Sequence, residues 1–141
     1  MKRRSSFCAT KPETNQEGTL AFESLMLDHN NIAGATFDLN AGKFTAGATG
    51  SYQVMISAEA VSAPGQHHKL WVAVNDAKKD ETLIYAEQGE HTYSSGFDNV
   101  SRDIVLKLDA GNTVTVVHET NGNENLINVI FCVSSMKLSD N

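Results

Sequence analysis

The chain has 141 residues, of which 17 are acidic and 11 are basic, so its formal net charge is −6. This length suits one domain with a hydrophobic core of its own. The negative charge repels phosphate backbones, which argues against nucleic acid as a partner. No apolar run approaches the roughly 18 residues of a membrane span, so we expect no membrane insertion.

The amino terminus carries a basic run, Lys2 to Arg4, followed by a polar segment that continues to Pro12. A signal peptide needs an apolar stretch after its basic start. The protein is therefore either intracellular or secreted after loss of a leader that this sequence does not contain. The basic run fits a short arm or a disordered end. We expect one domain over residues 5–138, with disordered ends at 1–4 and 139–141.

Apolar and polar side chains alternate with period two along most of the chain, as in half-buried strands. The runs that show this pattern are 51–58, 70–74, 103–109, 113–116 and 127–133. Turn residues separate them, and segment 78–88 fits either a helix or a strand. Many short strands at roughly ten-residue spacing predict an all-β sandwich or jelly roll.

Four residues in the middle of the chain carry a recognisable spacing: Phe37, Phe44, Gly50 and Tyr52. This spacing resembles the signature of the C1q-like family, the globular heads of complement C1q, adiponectin and cerebellin. The next inward residues are aliphatic here, where the family usually has aromatic ones. Gly50 follows a loop that must turn sharply into a strand, where glycine permits a positive φ.

Further segments resemble this family in the same order along the chain. Phe7-Cys8-Ala9 is similar to its first strand, and Phe22 begins a segment that looks like its next one. Residues 106–114 are similar to its Leu-x-Leu-x-x-Gly-Asp-x-Val turn, and Phe131-Cys132-Val133 to its closing strand, although the usual glycine is missing there. The residues expected to define the fold and its core are Phe22, Phe37, Phe44, Gly50, Tyr52, Gly111 and Phe131.

The resemblance implies a ten-stranded jelly-roll sandwich of two antiparallel sheets, C1q/tumour-necrosis-factor-like, that assembles as a homotrimer. It also implies a secreted, non-enzymatic recognition module that binds carbohydrate, a microbial surface or a protein receptor. The alternatives are a structural trimerisation domain and a cytokine-like ligand of the tumour-necrosis-factor type.

In that fold the first and last strands are neighbours, which would bring Cys8 and Cys132 together. The sequence leaves two alternatives for these cysteines, a disulfide and two buried thiols. Asn99-Val100-Ser101 is a glycosylation sequon in the polar stretch 94–102.

Calcium is a possible cofactor, because some relatives hold it through loop oxygens and this chain has several loop-like acids. The same acids also fit solvated surface charges. The candidates are Asp76, Asp80, Glu81, Asp98 and Asp103.

No catalytic motif is present. His118-Glu119 begins like a zinc-protease motif, but position 122 is Gly rather than His. His67 and His68 point to opposite faces of an extended segment, which predicts a polar loop with one packed imidazole rather than a metal site. Trp71 and Tyr93 could stack on a ligand, although a mid-strand Trp71 also fits an interface. The candidate binding loops are 28–35, 62–68, 76–81, 91–99 and 119–125.

Overall fold

The computed structural model describes residues 2–3, 6–28, 35–90, 93–136 and 139–140. In this part of the chain the only helical element is a short 3-10 turn at Asp80–Thr82, and no helix is long and apolar enough to cross a membrane. Nearly everything else that is regular is strand. This agrees with the alternation of β-branched and polar residues in the sequence.

The described strands, in chain order, are β1 Lys2–Arg3, β2 Ser6–Thr14, β3 Gly18–Thr19, β4 Ser24–Asp28, β5 Thr36–Asp38, β6 Lys43–Thr45, β7 Gly50–Ser62, β8 His67–Val74, β9 Ala77–Lys78, β10 Ile84–Glu87, β11 Gly96–Leu108, β12 Thr113–Thr120, β13 Leu126–Ser135 and β14 Ser139–Asp140.

Two antiparallel sheets form the sandwich. One sheet has five strands in the order β11-β7-β13-β2-β4, and the other runs β10-β8-β12-β6-β5 with β3 beside β12 and β9 beside β8. The ten described strands of three or more residues all belong to these two sheets. The predicted two-sheet jelly roll is confirmed. The ambiguous segment 78–88 contains the 3-10 turn and β10, and no α-helix.

β1 and β14 pair with each other, Lys2 opposite Asp140 and Arg3 opposite Ser139. The prediction that 1–4 and 139–141 are disordered ends stays a prediction. Residues 1, 4 and 141 lie outside the described residues.

Aromatic side chains from both sheets meet between them. The ring of Phe131 lies 5.7 Å from that of Phe22 and 5.8 Å from that of Phe37, and the ring of Phe44 lies 5.8 Å from that of Tyr52. Four of these five side chains are almost fully buried, and Phe37 packs against them from a partly exposed position. The Phe37–Phe131 and Phe44–Tyr52 pairs are edge-to-face, a geometry that adds to the burial of apolar area, so this cluster joins the sheets at the centre of the core.

Two glycines with positive φ shape the turns, and Gly50 is not one of them. Gly111 has a φ of 90° in the turn before β12, and Gly42 has a φ of 65° before β6. A Cβ at Gly42 would overlap the carbonyl oxygen of Leu20. Gly50 begins β7 without a positive φ, so the sequence-based explanation for that glycine is wrong.

Candidate functional site

The sandwich has two different ends. Ser6 pairs with Ser134 at one end of the five-stranded sheet, so both chain termini leave from there, while Thr14 pairs with Leu126 at the opposite end. At this opposite end the loops 62–66 and 121–125 meet the segment 15–17. We call residues 14–17, 62–66 and 120–125 the polar end.

Two of the predicted binding loops, 62–68 and 119–125, come together at the polar end. Loop 91–99 adjoins it, because the Gly65 N–H donates to the Gln88 carbonyl at 3.0 Å, although residues 91–92 lie outside the described residues. Loop 76–81 follows β8 at the other end of the sandwich. Most of loop 28–35 lies outside the described residues.

An open cleft of about 390 Å³ lies at the polar end, lined by Asn15, Glu17, Thr120, Asn121, Gly122 and Asn123. Its walls carry side-chain amides, a hydroxyl and a carboxylate. Amides both donate and accept hydrogen bonds, so the cleft suits a ligand rich in hydroxyl groups.

A buried glutamine fixes the floor of this cleft. The Gln66 side chain is only 3% exposed. Its Nε2 donates to Thr120 Oγ1 at 2.9 Å and to the Glu124 carbonyl at 3.0 Å, while its Oε1 accepts from the Ala63 N–H at 3.0 Å. Gly122 packs so closely on this side chain that a Cβ there would overlap it. Loops 62–66 and 121–125 are therefore held as one unit.

Further hydrogen bonds hold the walls of the cleft. Asn121 Oδ1 accepts from the His67 N–H at 2.8 Å, and Asn121 Nδ2 donates to the Gly65 carbonyl at 3.2 Å. From the facing segment, Glu17 Oε1 accepts from the Thr120 N–H at 3.1 Å. Polar groups that are already satisfied and fixed need little reorganisation when a ligand arrives.

Beneath the cleft, the imidazoles of His68 and His118 contact each other between the sheets. His68 Nδ1 lies 2.9 Å from His118 Nε2, and the stacked ring centroids are 5.1 Å apart. His68 Nε2 lies 2.6 Å from the Val61 carbonyl, and His118 Nδ1 lies 2.7 Å from the Gln16 carbonyl. Burial lowers the pKa of both imidazoles, and the bonds to these carbonyls partly offset that effect. We call these two residues the histidine pair.

The placement of His67 and His68 differs from the predicted polar loop. Both belong to β8, where His68 is buried and the ring of His67 stacks on Tyr85 on the outer face. The prediction of opposite faces is right in direction. The contact of His68 with His118 could not be predicted from the sequence. The two positions are fifty residues apart, and only the register of β8 and β12 brings them together.

The outward side of the five-stranded sheet, opposite the core, presents apolar side chains that nothing covers in the described chain. Met26 is 62% exposed, Phe97 60% and Val105 58%. We call this side the uncovered face. One row across it runs Asp103, Met55, Cys132, Cys8 and Met26.

Cys8 and Cys132 form a disulfide at the centre of this row. They are direct partners on β2 and β13, with Cα atoms 4.0 Å apart. Of the two possibilities left open by the sequence, the structure has the disulfide.

The Asn99 sequon lies on β11, not in a loop. Asn99 is exposed and pairs with Glu59 of β7. It belongs to the same alternating set as Phe97 and Val105, so its side chain points out from the uncovered face.

The acids considered for calcium do not come together. Asp76 lies in a turn with Lys43 Nζ at 3.8 Å, and Asp80 lies in the 3-10 turn. Asp98 and Asp103 belong to β11, so their assignment to loops was wrong, and their odd spacing sends them to opposite sides of the strand. Among the described residues, no three His, Cys, Asp or Glu side chains converge to hold a metal.

The two aromatic candidates for ligand stacking differ in exposure. Trp71 is 8% exposed and lies under Lys78, whose Nζ is 4.3 Å from the ring centroid, so its own chain covers it. Neither a ligand nor a subunit interface is needed to explain Trp71. Tyr93 is fully exposed on the loop beside the polar end.

The fold and these surfaces define a class of antiparallel jelly-roll domains with an organised polar end. A profile of the C1q domain family matches residues 6–131, and the chain belongs to that family. The structure is similar to the globular domain of the zebrafish complement 1qA protein, with a TM-score of 0.69 and 18% identity, over 97% of this chain and 100% of that one. No curated protein matches the chain in sequence.

Members of this family share a typical activity, assembly and location. C1q domain proteins are generally non-enzymatic, typically form trimers that bind receptors or other ligands, and are typically extracellular. A disulfide fits an oxidising compartment of that kind.

Proposed function

We propose that this chain is an extracellular recognition module that forms a homotrimer and binds carbohydrate or protein ligands on a cell or microbial surface through its polar end. The observation that carries this proposal is the cleft between segment 15–17 and loop 121–125. It is polar, it is held open by internal hydrogen bonds, and it lies at the end of the sandwich opposite the chain termini.

The chemistry of the cleft favours carbohydrate. Asn15, Asn121 and Asn123 place amide groups around it, and Glu17 adds a carboxylate. Sugar hydroxyls donate and accept hydrogen bonds and so match amides on both counts. The exposed ring of Tyr93 on the neighbouring loop offers the apolar surface on which a sugar ring can stack.

The uncovered face supports assembly of three copies. An exposed apolar patch on a sheet face is typical of an interaction surface. Complete burial of one side chain such as Met26, Phe97 or Val105 contributes about 1.5–3 kcal/mol to the free energy of association. Cyclic symmetry keeps the three polar ends on one side of the assembly. Three weak sites facing one surface then gain avidity.

A glycan array tests the recognition part of the proposal. We expect saturable binding that is lost in Asn123→Ala and kept in Asn40→Ala, a matched change at an exposed residue that does not line the cleft. Trimers that bind no glycan and no cell surface would favour the structural trimerisation domain instead. Binding to a receptor without dependence on sugar or on Asn123 would favour the cytokine-like alternative.

Light scattering tests the trimer. We expect a mass near three times the 15.3 kDa of one chain. Met26→Arg places a charge on the uncovered face and should yield folded monomers with weaker glycan binding. Tyr85→Arg makes the same change at an exposed aromatic residue of the other sheet and should remain trimeric. A monomeric wild-type chain would contradict the proposal.

The position of Asn99 gives a second test of the same interface. A glycan there would cover the uncovered face, so we expect Asn99 to be unmodified in the trimer. Mass spectrometry of trimer expressed through a secretory pathway measures this directly. Full occupancy of Asn99 in a stable trimer would show that the copies pack through another surface.

A further inference from the structure

The histidine pair lies where the segment before β3, the end of β7 and the two strands β8 and β12 meet. Alternation along β8 turns His68, Leu70 and Val72 toward the core, and alternation along β12 does the same for His118. His68 is 2% exposed and His118 1%. Neither the cleft nor the uncovered face uses either imidazole directly.

Three short contacts connect these two rings to each other and to the backbone. They join His118 Nδ1 to the Gln16 carbonyl, His68 Nδ1 to His118 Nε2, and His68 Nε2 to the Val61 carbonyl. A carbonyl oxygen and an unprotonated ring nitrogen both present lone pairs, so each contact needs a hydrogen.

Two neutral imidazoles carry only one N–H each. Three contacts are satisfied only when the pair holds a third proton, which places one positive charge on the two rings together. The amide of Gln66 cannot replace that hydrogen at the Val61 contact, because its Nε2 lies 3.4 Å from His68 Nε2, on the ring rather than on the carbonyl.

We propose that His68 and His118 form a buried binding site for one shared proton, and that this proton holds the polar end together. Through it the Gln16 carbonyl is tied to the Val61 carbonyl. The residue after Gln16 is Glu17, which forms one wall of the cleft, and the Val61 N–H holds the Asn125 carbonyl at 3.0 Å. Both walls of the cleft are thus anchored at the histidine pair.

A further proton cannot enter without breaking this arrangement. It would place an N–H on each of the two facing nitrogens, His68 Nδ1 and His118 Nε2, which are 2.9 Å apart. It would also place two like charges in a buried space. Burial lowers the pKa of both rings, and a charged His68 lowers the pKa of His118 further.

The charged groups around the pair come from each element packed on it. Glu17 in the segment before β3 raises the pKa of His118, and His67 on β8 lowers that of His68. Glu119 follows His118 on the opposite face of β12, and Glu124 meets Gln66 through its backbone. Among these groups, Glu17 is the carboxylate that favours the charged form of the pair, and it is also a wall of the cleft.

The consequence is a polar end that opens in acid. Uptake of the extra proton separates the rings, which frees the Gln16 carbonyl and the segment that carries Glu17. One proton taken up on opening makes the open fraction grow about tenfold for each pH unit of acidification. The proton site exists whether or not the cleft binds a sugar, so a failure of glycan binding would leave this inference standing.

Nuclear magnetic resonance of ring nitrogens in the wild-type protein, followed from about pH 8 downward, tests the shared proton. We expect the signals of His68 and His118 to change together, at one midpoint and with uptake of one proton for the pair, while the folded structure persists. His67 serves as the reference ring outside the pair. Separate midpoints for the two rings, two charged rings in the closed fold, or no change before global unfolding would each overturn the proposal.

Amide exchange tests the opening. The Thr120 N–H, which is bonded to Glu17, should lose protection about tenfold per pH unit in acid. The Val72 N–H, which is bonded to Thr82 Oγ1 at 2.8 Å farther along β8, should not. In His118→Gln, where an amide can bond Gln16 and His68 without titrating, this dependence should vanish, and in the control His67→Gln it should remain. Equal loss at Thr120 and Val72 in the wild type would mean global unfolding and would overturn the proposal.

Discussion

Removal of the disulfide should cost this domain a large part of its stability, through the unfolded state. The bond joins Cys8 to Cys132, which are 124 positions apart, so it closes a loop of nearly the whole chain. In the chain-entropy model such a loop is worth about 5 kcal/mol at room temperature. Within one copy both residues are only partly buried on the uncovered face, so serine at these positions disturbs little of the packing inside the fold. We therefore expect the double variant Cys8→Ser, Cys132→Ser to be destabilised by about 4–5 kcal/mol.

Guanidinium unfolding of both proteins measures this difference. The protein concentration must be the same in each titration, because assembly adds a concentration-dependent term to the apparent stability. The slope of free energy against denaturant should also rise in the variant, since an uncrosslinked chain exposes more surface on unfolding. Reduced wild-type protein is the control and should behave like the variant. A loss below about 1 kcal/mol in a well-folded variant would refute the entropic reasoning, because the unfolded ends would then stay together without the bond.

Three further changes have expected outcomes that denaturant unfolding can check. Gly42→Ala should lower the free energy of unfolding by about 1–3 kcal/mol more than Gly18→Ala does. Both glycines have a positive φ, but only a Cβ at Gly42 meets the backbone, so equal losses would contradict the steric reason. Tyr52→Phe removes a buried hydrogen bond to a backbone carbonyl and should cost about 1 kcal/mol with no change in molecular mass, whereas an unchanged midpoint would mean that the bond is weak. Below about pH 6.5 the unfolded chain binds two protons on His68 and His118, whereas the closed pair holds at most one because burial lowers the pKa of both rings, so the unfolding free energy should fall there by up to about 1.4 kcal/mol per pH unit; stability rising in acid would reverse the sign argued here.

The fold could be predicted from the sequence because its strongest signals are local. The alternation at 51–58 depends only on the two-residue period of a strand, and β7 buries every second side chain there. The side chains of Phe37, Phe44 and Tyr52 meet in one core, and their spacing can therefore be recognised in the sequence. Gly50 shows the limit of such a reading, since a glycine before a strand does not reveal its φ angle.

Strand boundaries were less predictable, and this affected the candidate sites. The sequence predicts a binding loop at 91–99, and the overlapping stretch 94–102 is polar. In the structure β11 begins at Gly96. Its pairing with β7 forms a strand that the polar composition of this segment does not predict. Pairing of this kind overrides propensity on an edge strand. It turned Asp98 and Asp103 from loop acids into strand residues, and it placed Asn99 on the uncovered face.

The polar end could not be predicted, because its groups meet only through register. A one-residue shift of β8 against β12 would turn His68 or His118 to the outer face and leave a buried carbonyl without a partner. Two adjacent histidines in the sequence gave no indication of which one is buried. The side chain of Gln66, flanked by Pro64, Gly65 and His67, looks like ordinary loop composition until its bonds to Thr120 and Glu124 are known. An unpaired polar group in this space would cost about 1–3 kcal/mol. The hydrogen-bond network below the cleft therefore fixes its structure, although no member of that network stands out in the sequence.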